Sequence, residues 1–267
     1  MLRTSRVAST LAPVLVSMTA LLGGCERGTE PSAARSESAP VVSASGSAAA
    51  SANAPVVPVS VETVPVAGDV PAFVLRGARG PAAMVFLHGM CVHGLGYVQA
   101  FASAAASRGT VIGLAGDVSC GGPWRMWGPD VAGLDRRIEE AFRAAGRPLE
   151  PGEEVVAMGY SQGATRAEAL AARFPGRYTR VVLMGGPTAP SVARLRGVKS
   201  AVMMAGERDR QDLMKAGARA LTAAGVPATY IAFPGAAHGS MGSQPGDAER
   251  VMEQAFAWLW PEAPAAR

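Results

Sequence analysis

AMGYSQGATRA, residues 157–167, decides how this chain is read. An apolar run, EVVAMGY (154–160), leads into it, and a run of helix formers, QGATRAEALAARFP (162–175), follows. The first has the length of a buried strand, and the second reads as a helix. Gly159 and Gly163 bracket Ser161 between them. Glycine has no Cβ, so strand and helix can approach closely at both points. The spacing predicts a tight turn with the serine at its tip and the free N–H groups of the helix start beside it.

Working outward, short apolar strands alternate with helical runs. VSVETVPV (59–66) and FVLRGA (73–78), separated by the turn-rich AGDVPA, read as an antiparallel pair at a sheet edge. AAMVFLHG (82–89) is a strand, LGYVQAFASAAASRG (95–109) a helix closed by Gly109, and TVIGLAG (110–116) a strand. DVAGLDRRIEEAFRAAG (130–146) is a helix with Asp130 as its N-cap and Gly146 as its stop. RVVLMGG (180–186), SAVMMAGE (200–207) and ATYIAFPG (228–235) are strands, with helices around 211–224 and over DAERVMEQAFAWLW (247–260). Apolar strands alternating with helices imply an α/β architecture, a mostly parallel sheet covered on both faces. Ligands of such sheets bind outside the carboxyl ends of the strands. The chain has 267 residues, 49% hydrophobic and 17% charged, enough for one core in a domain of about 200 residues.

The first residues read differently. MLRTSRVASTLAPVLVSMTALLGGC has two arginines and then an apolar stretch from Val7 to Leu22. That is the pattern of an export signal, short for a spanning helix. Its ending, Leu22-Gly23-Gly24-Cys25, resembles the lipobox of bacterial lipoproteins. The resemblance implies cleavage of residues 1–24 and lipidation of Cys25, with several acyl chains giving stable membrane anchoring. An ordinary secretory signal with a chance cysteine is the alternative. Residues 25–58 are rich in Ala, Ser and Pro and too poor in large apolar groups to offset chain entropy, so a disordered tether is expected. The expected location is the bacterial cell envelope, facing the periplasm or the exterior, in either membrane. The formal net charge is +4. Arg3 and Arg6 fall in the removable segment, and no Lys/Arg stripe remains, which argues against nucleic acid as a partner.

A serine hydroxyl is a weak nucleophile that needs a base, and the base needs an orienting acid. His238 lies in FPGAAHGSMG, after the last strand, and Asp209 in AGERDRQD, after the strand SAVMMAGE. With G-Y-S-Q-G between a strand and a helix, the chain resembles the α/β-hydrolase family over roughly residues 60–262. The resemblance implies the α/β-hydrolase fold. It also implies Ser161 as nucleophile, Asp209 as acid and His238 as general base, with Glu207 and Asp212 as alternative acids. It further implies an oxyanion hole formed by the N–H of Gln162 and a donor from the loop after the strand that ends in H-G, within FLHGM (86–90) and on to Cys91: Met90 first, with Cys91 as its neighbour. Each such donor is worth roughly 3–4 kcal/mol of barrier. The loop reads H-G-M-C where the lipase–esterase form has H-G-G-G, and His88 is expected to prop it.

Cys91 and Cys120 form an even pair once Cys25 is set aside, which in an exported protein suggests a disulfide; two buried thiols are the alternative. SCGGPWRMWGPD (119–130) excludes a helix and carries Trp124 and Trp127 at the active edge, to line an acyl or aromatic pocket or to pack on a neighbouring helix. Arg125 is a candidate for an anionic substrate group. Only about a dozen residues separate the strand ending at Gly186 from the one near Ser200, so no cap domain is expected. The activity expected is hydrolysis of a small carboxylic ester or related acyl bond without metal or organic cofactor. Amide hydrolysis, a haloperoxidase-like use of the same residues and a non-catalytic binding protein of the same fold are the alternatives. Substrate and oligomeric state are left open.

Overall fold

In a computed structural model the described residues are 59–77 and 81–260. The expected signal, Cys25 and the tether lie outside them. In chain order the elements are β1 (Val61–Val64), β2 (Ala72–Leu75), β3 (Ala82–Leu87), α1 (Leu95–Ala100), α2 (Ala102–Ala106), β4 (Gly109–Leu114), β5 (Val118–Gly121), β6 (Trp124–Met126) and α3 (Val131–Ala144). They continue with β7 (Val155–Tyr160), α4 (Gln162–Arg173), β8 (Arg180–Met184), α5 (Val192–Leu195), β9 (Ser200–Gly206), α6 (Gln211–Ala223), β10 (Ala228–Phe233) and α7 (Asp247–Leu259). Eight strands form one sheet in the order β1-β2-β4-β3-β7-β8-β9-β10. The first two pairings, β1 with β2 and β2 with β4, are antiparallel. The other five are parallel.

Alternation along the strands divides the core in two. Val85, Leu87 and Ala157 face Ile138, Phe142, Leu170 and Leu221 of α3, α4 and α6. Met84, Phe86 and Met158 face Val98 of α1, Phe101 between α1 and α2, and Met252 and Phe256 of α7. Each fully buried large side chain contributes roughly 1.5–3 kcal/mol. After β3 the chain goes to β4 on one side and returns to β7 on the other, so strand order reverses beside β3. In open α/β sheets the crevice at such a reversal is the ligand site. This is the α/β-hydrolase fold. The connection between β8 and β9 holds only the one-turn α5.

Two local expectations are corrected. The helix expected over 95–109 breaks at Phe101, where φ is −126° and ψ 23°. The first N–H groups of α2, those of Ser103 and Ala104, donate to the Glu249 carboxylate of α7 at 2.8 and 2.7 Å. A cap from a distant helix therefore makes the second start possible. Gly109 does not close that helix but opens β4: a Cβ there would stand 2.0 Å from the Ala82 carbonyl oxygen. The 119–130 segment is not all loop, because β5 and β6 form a two-stranded ribbon. Asp130 caps α3 as expected, accepting the Gly133 N–H at 2.9 Å.

A methyl group has no space at Gly109. Gly109→Ala is expected to lower unfolding free energy by about 2–3 kcal/mol. Gly176→Ala, where a Cβ would meet nothing within 4 Å, should stay within about 0.5 kcal/mol of wild type in the same urea titration.

Candidate active site

Ser161 stands between β7 and α4 with φ 53° and ψ −116°, a region that residues with a Cβ rarely adopt. The glycines around it leave no alternative path. A Cβ on Gly159 would lie 2.2 Å from the Gly163 carbonyl oxygen, and one on Gly163 would lie 1.9 Å from that of Leu87. The start of α4 is thus pressed onto the ends of both β7 and β3. The Ser161 N–H donates to the Met184 carbonyl at 2.7 Å, which secures the turn to β8.

Two further polar residues converge on the hydroxyl. Asp209 lies between β9 and α6, and His238 between β10 and α7. Asp209 Oδ2 is 2.8 Å from His238 Nδ1, and His238 Nε2 is 3.1 Å from Ser161 Oγ. An ionised carboxylate only accepts, so Nδ1 carries the proton and Nε2 faces the hydroxyl as an acceptor. Asp209 Oδ1 accepts the Arg210 N–H at 2.7 Å, which fixes the carboxylate plane. Neither alternative acid pairs with His238. Glu207 accepts the Gly235 N–H at 2.7 Å, tying down the loop that carries His238. Asp212 sits in the first turn of α6.

The loop after β3 completes the site. A Cβ on Gly89 would be 3.4 Å from the Ser161 Cβ, so this loop borders the hydroxyl. Met90 follows with its side chain 61% exposed, and Cys91 has φ 52°. Cys91 is disulfide-bonded to Cys120 of β5, and Val92 bridges to Arg125 of β6. The N–H of Gln162, the first residue of α4, has no acceptor within its own helix.

The structure assigns His88 the propping role. It is wholly buried. Its Nε2 accepts the Gly116 N–H at 2.9 Å, and its Nδ1 lies 2.6 Å from the Gly89 carbonyl. One nitrogen accepting and the other facing a carbonyl define a neutral imidazole with Nδ1 protonated. Burial accordingly lowers its pKa from the ordinary 6.5.

Trp127 does not line an open acyl pocket beside Ser161. It is 3% exposed, its ring packs 4.9 Å from that of His88, and its indole N–H donates to the His88 carbonyl at 2.7 Å. An indole buried with its one donor satisfied contributes packing. Trp124 stays half-exposed on the ribbon. Arg125 is spent on backbone, donating to Gly116 and Asp117 carbonyls at 2.5 and 3.3 Å. The Gln162 side chain, whose use sequence reasoning missed, pairs with the Trp127 peptide in both directions at 3.0 and 3.2 Å. Its place in G-Y-S-Q-G was the only signal. A cavity of about 470 Å³, lined by Ala83, Arg108, Val156 and Trp260 among others, lies at the other end of β3 and β7, away from these groups. Among the described residues no cluster of three or more His, Cys, Asp or Glu side chains could hold a metal ion.

No protein-family model and no curated relative matches the sequence. Solved structures do resemble it. An esterase of Pyrobaculum calidifontis shares 19% identity at a TM-score of 0.52, over 76% of this chain and 84% of that one. A CIB-like hydrolase of Thermoplasma acidophilum shares 14% at 0.53, over 74% and 98%. The carboxylesterase CesB of Bacillus subtilis shares 13% at 0.50, over 78% and 94%. At these identities the likeness is one of fold.

His88 makes stability depend on pH. Its folded pKa is depressed, so as pH falls below about 6.5 the unfolded chain takes up a proton that the folded chain refuses. Stability contributed at neutral pH is therefore lost on acidification, by up to about 1.4 kcal/mol per pH unit. Urea midpoints of wild type should fall from pH 7 to pH 5.5, and those of His88→Gln should change less.

Proposed function

We propose that this chain is a serine hydrolase acting on carboxylic esters through Ser161, His238 and Asp209. The observation that carries the proposal is the continuous relay from Asp209 Oδ2 through His238 to Oγ of a backbone-strained serine. The esterases among the fold neighbours support the same reading.

The chemistry follows from these positions. Ser161 Oγ attacks the ester carbonyl carbon while His238 Nε2 takes the hydroxyl proton. Asp209 orients the imidazole and stabilises the imidazolium that forms. Charge moves to the carbonyl oxygen, where the N–H of Gln162 and a backbone N–H of the Met90–Cys91 loop receive it. Collapse of the tetrahedral adduct breaks the ester C–O bond, and His238 returns the proton to the leaving alcohol. Water, deprotonated by the same nitrogen, then releases the acid and restores Ser161. The site is uncapped and His238 is half-exposed, which suits small, soluble esters. Trp124 and Met90, both exposed, offer apolar surface for the acyl or alcohol group.

The N-terminal reading belongs to the same proposal. Residues 1–24 act as a lipoprotein signal, and lipid on Cys25 holds the hydrolase to a bacterial membrane through the 25–58 segment.

Purified wild-type protein should react with a fluorophosphonate probe and hydrolyse p-nitrophenyl esters. Ser161→Ala and His238→Ala should abolish labelling, and Asp209→Asn should lower kcat by about 10³–10⁴. A folded wild type that neither labels nor turns over esters or amides would overturn the proposal, and amide turnover alone would move the substrate class. Cys25→Ser should remove metabolic palmitate incorporation and shift the protein from the membrane to the soluble fraction on centrifugation.

A further inference from the structure

His238 sits in a segment with no helix or strand, between β10 and α7. Gly235, Gly239, Gly242 and Gly246 all have positive φ there. Such a segment has little of its own to hold one conformation. The bond from Asp209 fixes one edge of the imidazole, and the only other bond of the ring is to the Ser161 hydroxyl, the group that must leave it when the serine reacts. Gly239, the residue after His238, is gripped from both sides. The Gly239 N–H donates to Tyr160 Oη at 2.8 Å, and the Gly239 carbonyl accepts the Tyr97 hydroxyl at 2.9 Å. The two tyrosines come from the end of β7 and from α1, and their rings pack 5.3 Å apart. The Tyr160 ring also lies 5.5 Å from that of His238.

The grip is anchored in the core. Tyr160 is 1% exposed, and Tyr97 packs on the buried Phe86. Tyr160 directly precedes Ser161, so the clamp and the hydroxyl that the base must reach share one strand end. Any movement of β7 carries both together. Burial pushes the Tyr160 pKa up to about 12, so its hydroxyl stays neutral well into the alkaline range.

We infer that Tyr160 and Tyr97 are positioning residues for the general base: by clamping Gly239 between them, through its N–H and its carbonyl, they hold His238 Nε2 within reach of Ser161 Oγ. This rests on the serine-hydrolase reading and adds to it a reason for tyrosine at position 160. Phenylalanine would fill the same volume and leave the Gly239 N–H without its acceptor. Both tyrosines act through His238, so their loss should appear in kcat rather than in KM.

The test uses the full-length protein with Tyr160→Phe, Tyr97→Phe, the double variant and a control, Tyr178→Phe. Tyr178 is a buried tyrosine whose hydroxyl donates to Asp135 at 2.6 Å, on the face of the sheet covered by α3. Tyr160→Phe should lower kcat on p-nitrophenyl acetate about 10- to 100-fold with KM within about twofold, as expected for a misplaced catalytic group. Tyr97→Phe should lower it by a smaller factor, and the double variant by less than the product, because both act on one residue. The downfield Nδ1–H proton resonance of His238 should broaden in Tyr160→Phe. Tyr178→Phe should lower Tm and leave kcat and that resonance unchanged. Should Tyr160→Phe fail to fold, Tyr97→Phe carries the test, since its hydroxyl bond lies at the surface. An active wild type with Tyr97→Phe and any folded Tyr160→Phe both within twofold in kcat would overturn the clamp and leave the hydrolase reading standing. A folded wild type with neither labelling nor turnover would overturn both.

Discussion

The site depends on one steric constraint, the contact of α4 with the ends of β3 and β7 through Gly159 and Gly163. Backbone meets backbone there at distances that leave no space for a methyl group. The contact forces Ser161 into a conformation that costs on the order of 1–3 kcal/mol. That strain persists only because the surroundings over-determine it. The Ser161 N–H is bonded to β8, and α4 buries Ala167, Leu170 and Ala171 against the sheet. The same contact sets the start of α4 beside the loop after β3. The free N–H of Gln162 and the Gly89–Cys91 backbone therefore border one small space, at the point where strand order reverses.

That loop has no regular structure, and its rigidity is assembled from side chains. His88 reads backbone on both ring nitrogens, Trp127 closes over it, and Gln162 holds the Trp127 peptide. The disulfide between Cys91 and Cys120 joins the loop to the β5–β6 ribbon, and the Val92–Arg125 bridge repeats the link. Each hydrogen bond in the network is worth about 1 kcal/mol or a little more taken singly. Their value lies in sharing atoms: displacing any one group leaves a partner buried without its bond. A preorganised donor helps a developing oxyanion only if it does not have to move, and this network supplies that stiffness.

Much of this was legible in the sequence, and the boundary is a physical one. Strands and helices announce themselves by local periodicity where neighbours in sequence decide them, so the eight strands of the main sheet fall where the apolar runs point, β3, β7 and β9 among the clear cases, while the two short ribbon strands β5 and β6 do not. The convergence of Ser161, Asp209 and His238 was readable because all three follow strands, and a parallel sheet brings strand ends to one edge. What escaped depends on distant partners. The break at Phe101 needs Glu249, far along the chain. Trp127 goes inside because His88 offers it a carbonyl and a ring face. A loop rich in Gly and Pro carries no sign of which tryptophan a remote histidine will cover. The hydroxyls of Tyr97 and Tyr160 meet at Gly239 for the same kind of reason.

The relay has a dry end and a wet end, and this asymmetry follows from where the three loops leave the sheet. The Asp209 side chain is 8% exposed and that of His238 52%. A carboxylate shielded from water and held by the Arg210 N–H keeps one orientation, and its field reaches the imidazole with little screening. The imidazole, by contrast, borders solvent. In the proposed hydrolysis its exposed side would admit the water that attacks the acyl group in the second half of the cycle. The same exposure removes the packing that would otherwise hold the ring still. An open base therefore needs restraint from its backbone, which is where the tyrosine contacts to Gly239 act. Access for water and precision of the base make opposite demands on the same ring, and clamping the neighbouring residue meets both.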